Sequence, residues 1–293
     1  MTAYSNNFNH NGIHRNLGVG RFACCLALGL FMLFGATAEE STAGAAKLLL
    51  AEDFSEVADN PLAEAILNHR LLDLAEGAGV AGSNAVRATY QGYDRGSERI
   101  VQQHALSEKV HEATLNYDVR FDEAFQFVRG GKLHGLGPDR QVSGGLDMRP
   151  DGWSTRVNFT GDESLRTYLY IQNKDGVYGA GRSGDGFTFE RDRYYAVSIH
   201  VRMNSEPESE DGFARIYVDG ALLVDHDGAQ FRGTDAEEAL ISHLLISTFH
   251  GGSNPDWAPV NDDGSYATVY AWFDNFAVYE GEQIRQQPGP CWR

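Results

Sequence analysis

The sequence predicts an all-β protein, an antiparallel jelly-roll β-sandwich with few short helices. Three observations predict it. Apolar residues alternate with period two in many short segments, the signature of half-buried strands. An Asp219-Gly220 pair separates two such segments, and Asp-Gly suits a tight primed turn whose central residues both need positive φ. Helical periodicity is confined to two stretches, while 33 glycines supply turns.

Taken in chain order, the first segment is not part of that fold. Met1 to Gly20 is polar, and 22–34 (FACCLALGLFMLF) is an apolar run. Ala36-Thr37-Ala38 and the acidic pair Glu39-Glu40 follow. This is the layout of a secretory signal peptide over residues 1–38, and the apolar run is short for a spanning helix, which needs about 20 residues. Export, secreted or periplasmic, is therefore expected, with no stable membrane association after cleavage. Cleavage removes Cys24 and Cys25 and leaves Cys291, so no internal disulfide can form. Stability must come from a core, and residues 39–293 are enough for one domain, expected to be a monomer.

Helix is expected over Pro61–Ala75 and in a short piece over Thr234–Ala239, where Thr234 and Glu237 have capping-box spacing. Leu115–Phe121 alternates with Leu115, Tyr117, Val119 and Phe121 on one face. Trp153–Phe159 and Arg166–Ile171 alternate as well, joined by a loop short enough for a hairpin. Tyr194–Met203, Ala214–Val218, Ala221–Val224, Leu240–Phe249 and Ala267–Tyr279 complete the strands.

Common catalytic motifs are missing. There is no Gly-x-Ser-x-Gly elbow, His-Glu-x-x-His pair, phosphate loop or paired-Cys spacing. Asp225-His226-Asp227-Gly228 and Asn261-Asp262-Asp263-Gly264 could hold a calcium ion, but turn chemistry explains both equally well, so no metal is assigned. The acidic run Glu206–Asp211 holds Pro207 and reads as a solvated loop, not as the carboxylate pair of a glycosidase. With 24 Lys+Arg against 41 Asp+Glu, non-specific nucleic-acid binding is excluded.

The informative stretch is 125–171. Lys132 follows Gly130-Gly131 in an otherwise apolar, aromatic context. If 153–159 is a strand, Ser154, Arg156 and Asn158 share the face opposite Trp153, Val157 and Phe159. On the next strand, Arg166, Tyr168 and Tyr170 lie opposite Leu169 and Ile171. An odd-numbered hairpin loop then sets Arg156 across from Tyr168 or Tyr170, so a serine, an arginine and two tyrosines converge on one sheet face.

These groups, together with Tyr117–Phe121, Phe127–Leu133, Ser247–Gly252 and Trp257, resemble polysaccharide lyase family 14, the alginate and glucuronan lyases with a jelly-roll β-sandwich. The resemblance runs over 115–279. It implies a catalytic cleft containing Lys132, Ser154, Arg156, Tyr168 and Tyr170, and an acidic polysaccharide as partner; His250 and Trp257 are further candidates to line it, although Phe249-His250-Gly251-Gly252 could equally be a strand end shaped for packing. The implied reaction is β-elimination: the weakly acidic C5 proton leaves, the C4 oxygen is expelled, and cations neutralise the neighbouring carboxylate. Arg156 offers a bidentate fork and Lys132 a point charge. A tyrosine brought down from its usual pKa of about 10 by those cations could move the proton. Which tyrosine is base, and whether Lys132 itself transfers a proton, stays open from the residues. No cofactor or metal is required. The competing readings are a carbohydrate-binding sandwich without catalysis and a sandwich glycoside hydrolase.

Charge is segregated along the chain. Without residues 1–38 the balance is 22 Lys+Arg against 41 Asp+Glu, whereas 129–193 holds 10 Lys+Arg against 9 Asp+Glu. The stretch carrying the candidate site can accept a polyanion that the remaining surface repels.

Overall fold

The computed structural model describes residues 46–290. The expected signal peptide and Cys291 lie outside the described residues. In chain order the elements are β1 (Leu48–Glu52), α1 (Pro61–Leu67), β2 (Leu72–Ala75), β3 (Ala85–Tyr93), β4 (Gly96–Ser97), β5 (Ile100–Val110) and β6 (Glu112–Phe121). Then come β7 (Gly130–Gly137), β8 (Ser154–Thr160), β9 (Leu165–Tyr170), β10 (Tyr195–Arg202) and β11 (Gly212–Val218). The last three are β12 (Ala221–Ala229), β13 (Ile241–His250) and β14 (Thr268–Glu280). Among the described residues, no helix is long and apolar enough to cross a membrane.

Two antiparallel sheets pack face to face. One runs β12-β11-β10-β6-β14-β3-β2, with β1 on β14 and β4 on β3; the other runs β5-β13-β7-β8-β9. Between them lies a dense aromatic core in which Phe121 contacts Phe125 at 4.7 Å and Phe127 at 4.8 Å between ring centroids. Each such buried ring contributes about 1.5–3 kcal/mol. The expected alternation holds: Val157, Phe159, Leu165 and Leu169 all point into this core. Trp153 is fully buried and donates its indole N–H to the Ala239 carbonyl at 2.7 Å.

The 219–220 hairpin has both central residues at positive φ, +47° at Asp219 and +81° at Gly220. Helix is scarcer than expected. Asn60 caps α1 by accepting from the Leu62 and Ala63 amides, and Pro61 starts it, but the helix stops at Leu67. Leu72–Ala75 is strand, because pairing with β3 outweighs its helical spacing. The Thr234 hydroxyl accepts from Ala236 N instead of forming a capping box, and only a single 3₁₀ turn follows at Glu237–Ala239.

A bulge in β7 shapes the site. Lys132 pairs with Asn158 and Gly135 with Arg156, so three steps on β7 oppose two on β8. Lys132 therefore stays on the outer face, while His134 turns inward against Phe273 and Tyr117, with ring centroids at 4.4 and 4.9 Å. Only glycine fits at 135: a Cβ there would lie 1.8 Å from the Thr155 carbonyl oxygen.

The chain beyond β14 straps the outer face of β6. Thr114 donates to Gly281 O at 2.6 Å and Asn116 to Gln283 O at 3.0 Å. Arg285 pairs with the fully buried Asp118, which also accepts from Asn275 Nδ2 at 2.7 Å and from Gly289 N at 2.9 Å.

Candidate active site

The β8–β9 hairpin sets the frame. Ser154 faces Tyr170, Arg156 faces Tyr168 and Asn158 faces Arg166, all on the outer face of the five-stranded sheet. Arg156 thus meets one of the two tyrosines that the hairpin arithmetic allowed. Lys132 joins from β7 beside Asn158, and its ammonium reaches across to sit 3.7 Å from the Tyr168 ring centroid. Lys132, Asn158, Arg166 and Tyr168 are half-buried and line a cavity of about 170 Å³ together with Gly252 and Trp257.

Trp257 owes its place to a glycine. Gly252 has φ +101°, and a Cβ on it would lie 2.0 Å from the Trp257 indole, so the ring lies directly on the backbone. Arg99 fastens the same turn by donating to the His250 carbonyl at 2.8 Å and to the Gly252 carbonyl at 3.1 Å. Its guanidinium lies over the Phe249 ring at 4.5 Å. Neither Arg99 nor Gln141, described below, carried a sequence signal. Both lie in loops or at strand ends where no period applies.

The site is strongly cationic. Among the described residues, none of the ion pairs involves Lys132, Arg156 or Arg166. Burial, and then the positive charges of Arg156 and Arg99, pull the Lys132 ammonium down to about 7. A lysine so placed is partly neutral near neutral pH and can accept a proton.

Arg156 does not present a free fork. It is 2% exposed; Nη1 donates to Ser154 Oγ at 2.8 Å and Nη2 to Gln141 Oε1 at 2.9 Å. Burial lowers it to about 10, which leaves it charged at neutral pH. Ser154 is likewise fully buried and donates to the Val142 carbonyl at 2.6 Å. Neither Arg156 nor Ser154 is among the residues that line the cavity. Lys132 and Arg166 are the half-buried cations that line the cavity, and the third lining cation, the exposed Arg129, is paired with Asp256 at 2.9 Å.

The two tyrosines differ. Their hydroxyls are 3.5 Å apart, but Tyr170 is fully buried and accepts from Gly145 N at 2.8 Å. Burial raises the Tyr170 phenol, reinforced by Tyr168, and this outweighs the lowering by Gly145 and Arg156. The expectation that adjacent cations bring a tyrosine down fails at Tyr170, because desolvation of the phenolate is the larger effect. Tyr170 therefore keeps its proton at neutral pH.

His250 is not brought into the cleft. It is fully buried between the sheets, stacked on Phe125 with centroids 5.3 Å apart, and its Nε2 bonds the Gln126 carbonyl at 2.6 Å. Burial lowers it to about 4. Strand alternation puts it on the core face, next to Phe249 on the outer one. The acidic turn at 225–227 lies on β12, where Asp225 and Asp227 pair with Arg215 at 2.9 and 3.2 Å.

A β-sandwich whose outer sheet face gathers an uncompensated lysine, arginines and a tyrosine pair over a polar cavity has the equipment of a polysaccharide lyase. The model of the polysaccharide lyase 14 family matches residues 81–276, and the chain belongs to that family. Among solved structures, an alginate lyase Aly36B double mutant in complex with alginate trisaccharide aligns at TM-score 0.58 and 25% identity, over 68% of this chain and 82% of that one. The alginate lyase of Aplysia kurodai aligns at 0.61 and 20%, over 80% and 100%. The endo-β-1,4-glucuronan lyase of Trichoderma reesei aligns at 0.52 and 15%, over 76% and 92%. The last two show the shared sandwich fold. No curated protein matches the chain.

Proposed function

We propose that this polysaccharide lyase is exported and cleaves a uronic-acid polymer, alginate before glucuronan, by metal-independent β-elimination. The observation that carries this reading is the Lys132 ammonium: half-buried over Tyr168, free of any carboxylate and lowered to about 7.

Neutral Lys132 takes the C5 proton. The electron pair left behind forms the C4–C5 double bond, the C4–O bond breaks, and the Tyr168 hydroxyl returns a proton to the departing oxygen. Lys132 then passes its proton to the tyrosine through solvent, and nothing is oxidised or reduced. Arg166 neutralises the sugar carboxylate so that charge can delocalise onto it, and Asn158 bonds a sugar oxygen. Arg156, held by Ser154 and Gln141, keeps the field positive beneath Lys132. These cations do the work a metal ion would do. Tyr170 holds the Tyr168 hydroxyl in place.

The test is incubation of the mature protein with alginate, polymannuronate, polyguluronate and glucuronan, with and without a chelator, while ultraviolet absorbance of unsaturated ends is followed. Depolymerisation without new absorbance would mean hydrolysis, and binding without either would mean a carbohydrate-binding module. Loss of activity with the chelator would overturn metal independence. N-terminal sequencing of protein recovered outside the producing cell should begin at Glu39.

A further inference from the structure

Resting on the uronate-polymer reading above, we infer that Tyr178, presented with Val177 and Leu146 on two abutting loops, forms a stacking platform for sugar residues of the polymer beyond the cleaved bond.

Leu146, Val177 and Tyr178 are 66%, 63% and 64% exposed, the three most exposed large apolar residues described in the chain. They come from separate loops that meet: a Cβ on Gly145 would lie 3.2 Å from Val177 Cγ1 and 3.5 Å from Tyr178 Cε1. Apolar groups gathered at one place in water cost free energy and mark a binding surface.

Both loops are tied to Tyr168 and Tyr170. Gly145 donates its N–H to the Tyr170 hydroxyl, so the contact under Tyr178 is one residue from the site. On the other loop, Ala180 and Leu169 exchange backbone hydrogen bonds of 2.8 Å, pinning it to the edge of β9. A Cβ on Gly179 would lie 3.1 Å from the Tyr168 ring, so the platform is continuous with the cavity wall. Lys174 donates to the Gly176 and Val177 carbonyls at 2.6 and 3.3 Å, and its ammonium is 5.4 Å from the Tyr170 ring. It staples the turn that presents Tyr178.

Asp147 and Asp175 lie on the same loops as Arg149 and Lys174, so the charges offset. Net charge is therefore not what would hold a polyanion here. The apolar faces of pyranose rings are the chemistry that fits an exposed tyrosine flanked by aliphatic side chains. The occupant is a further stretch of the polymer already seated at Lys132, because the platform lies on the same sheet face as the cavity and adjoins its tyrosine wall.

The experiment compares wild type, Tyr178→Ala and Tyr178→Phe on the uronate polymer and on the shortest oligouronate that the wild type cleaves. Tyr178→Ala should raise KM for the polymer about tenfold (~1.4 kcal/mol) at similar kcat, leave KM for the short substrate unchanged, and be rescued by Tyr178→Phe. Equal behaviour of Tyr178→Ala and wild type on the polymer would overturn the platform alone. Equal loss on both substrates would overturn it as well, by showing that Tyr178 supports the tyrosine wall instead. A wild type that releases unsaturated ends from no uronate polymer would overturn the reading on which the platform rests.

Discussion

Lys132 and Tyr168 meet face-on: the lysine ammonium lies 3.7 Å from the centre of the tyrosine ring, although the two residues come from strands separated by β8. The β7 bulge makes this possible by keeping Lys132 outward while His134 turns into the core. A cation over an aromatic face is stabilised without a counter-ion. Burial and the guanidinium charges of Arg156 and Arg99 outweigh that stabilisation of the ammonium, so Lys132 is still lowered to about 7.

That shift sets a pH dependence. With Lys132 lowered to about 7, kcat/KM should rise about tenfold per pH unit below 7 and level off above it, as neutral lysine accumulates. The same shift has a stability consequence. Between about 7 and 10.5 the unfolded chain binds the proton that the folded chain has released, so stability rises with pH across that window. The lysine is a burden to the fold below it. Lys132→Met should abolish the absorbance gain and raise the thermal midpoint at pH 6; a lowered midpoint would show that the side chain is structural.

Tyr168→Phe and Tyr170→Phe should differ. Removing the Tyr168 hydroxyl takes away the proton donor and should lower kcat by about 10²–10⁴ with little change in KM. Removing the Tyr170 hydroxyl leaves Gly145 N without its acceptor, costing about 1–3 kcal/mol in stability as well as activity. Thermal unfolding beside steady-state kinetics separates the two effects.

Arg156 should act on Lys132 through charge. Arg156→Gln removes a cation that lowers the Lys132 pKa, so the acid limb of the kcat/KM profile should move to higher pH. Gln141→Ala strips one partner from a buried guanidinium and should cost about 1–3 kcal/mol of stability. An unmoved acid limb in Arg156→Gln would mean that the limb belongs to another group.

The strap over β6 is a second electrostatic test, remote from the site. Burial raises Asp118 to about 7 in spite of Arg285. The sign follows: between about 4 and 7 the folded state holds a proton that the unfolded state has lost, so this group's contribution to stability falls as pH rises through that range. Arg285→Ala removes the charge partner of a carboxylate that is 0% exposed and should destabilise the protein by about 3–5 kcal/mol at pH 8, and by less at pH 5, where Asp118 is protonated. Chemical denaturation at the two pH values measures the difference.

How much was legible beforehand varies with the range of the interactions involved. The 219–220 hairpin, the alternation of 153–159 and the opposition of Arg156 to a tyrosine are local, set by turn chemistry and the period of two. The helix expected to Ala75 was cut short by a distant partner, since Leu72–Ala75 completes the sheet against β3. The residues around His250 suit either cleft lining or packing at a strand end, and its strand parity decides for the core.

The sequence by itself determined the sandwich, the family resemblance and the sharing of one face by Ser154, Arg156, Asn158, Arg166, Tyr168 and Tyr170, because alternation along two hairpin strands needs no knowledge of the rest of the chain. Only the tertiary structure decided which of those groups meet solvent and in what protonation state. Arg156 and Ser154 are covered by 141–142, Tyr170 is raised and Lys132 lowered, since desolvation depends on what other segments pack above a residue and not on the strand that carries it.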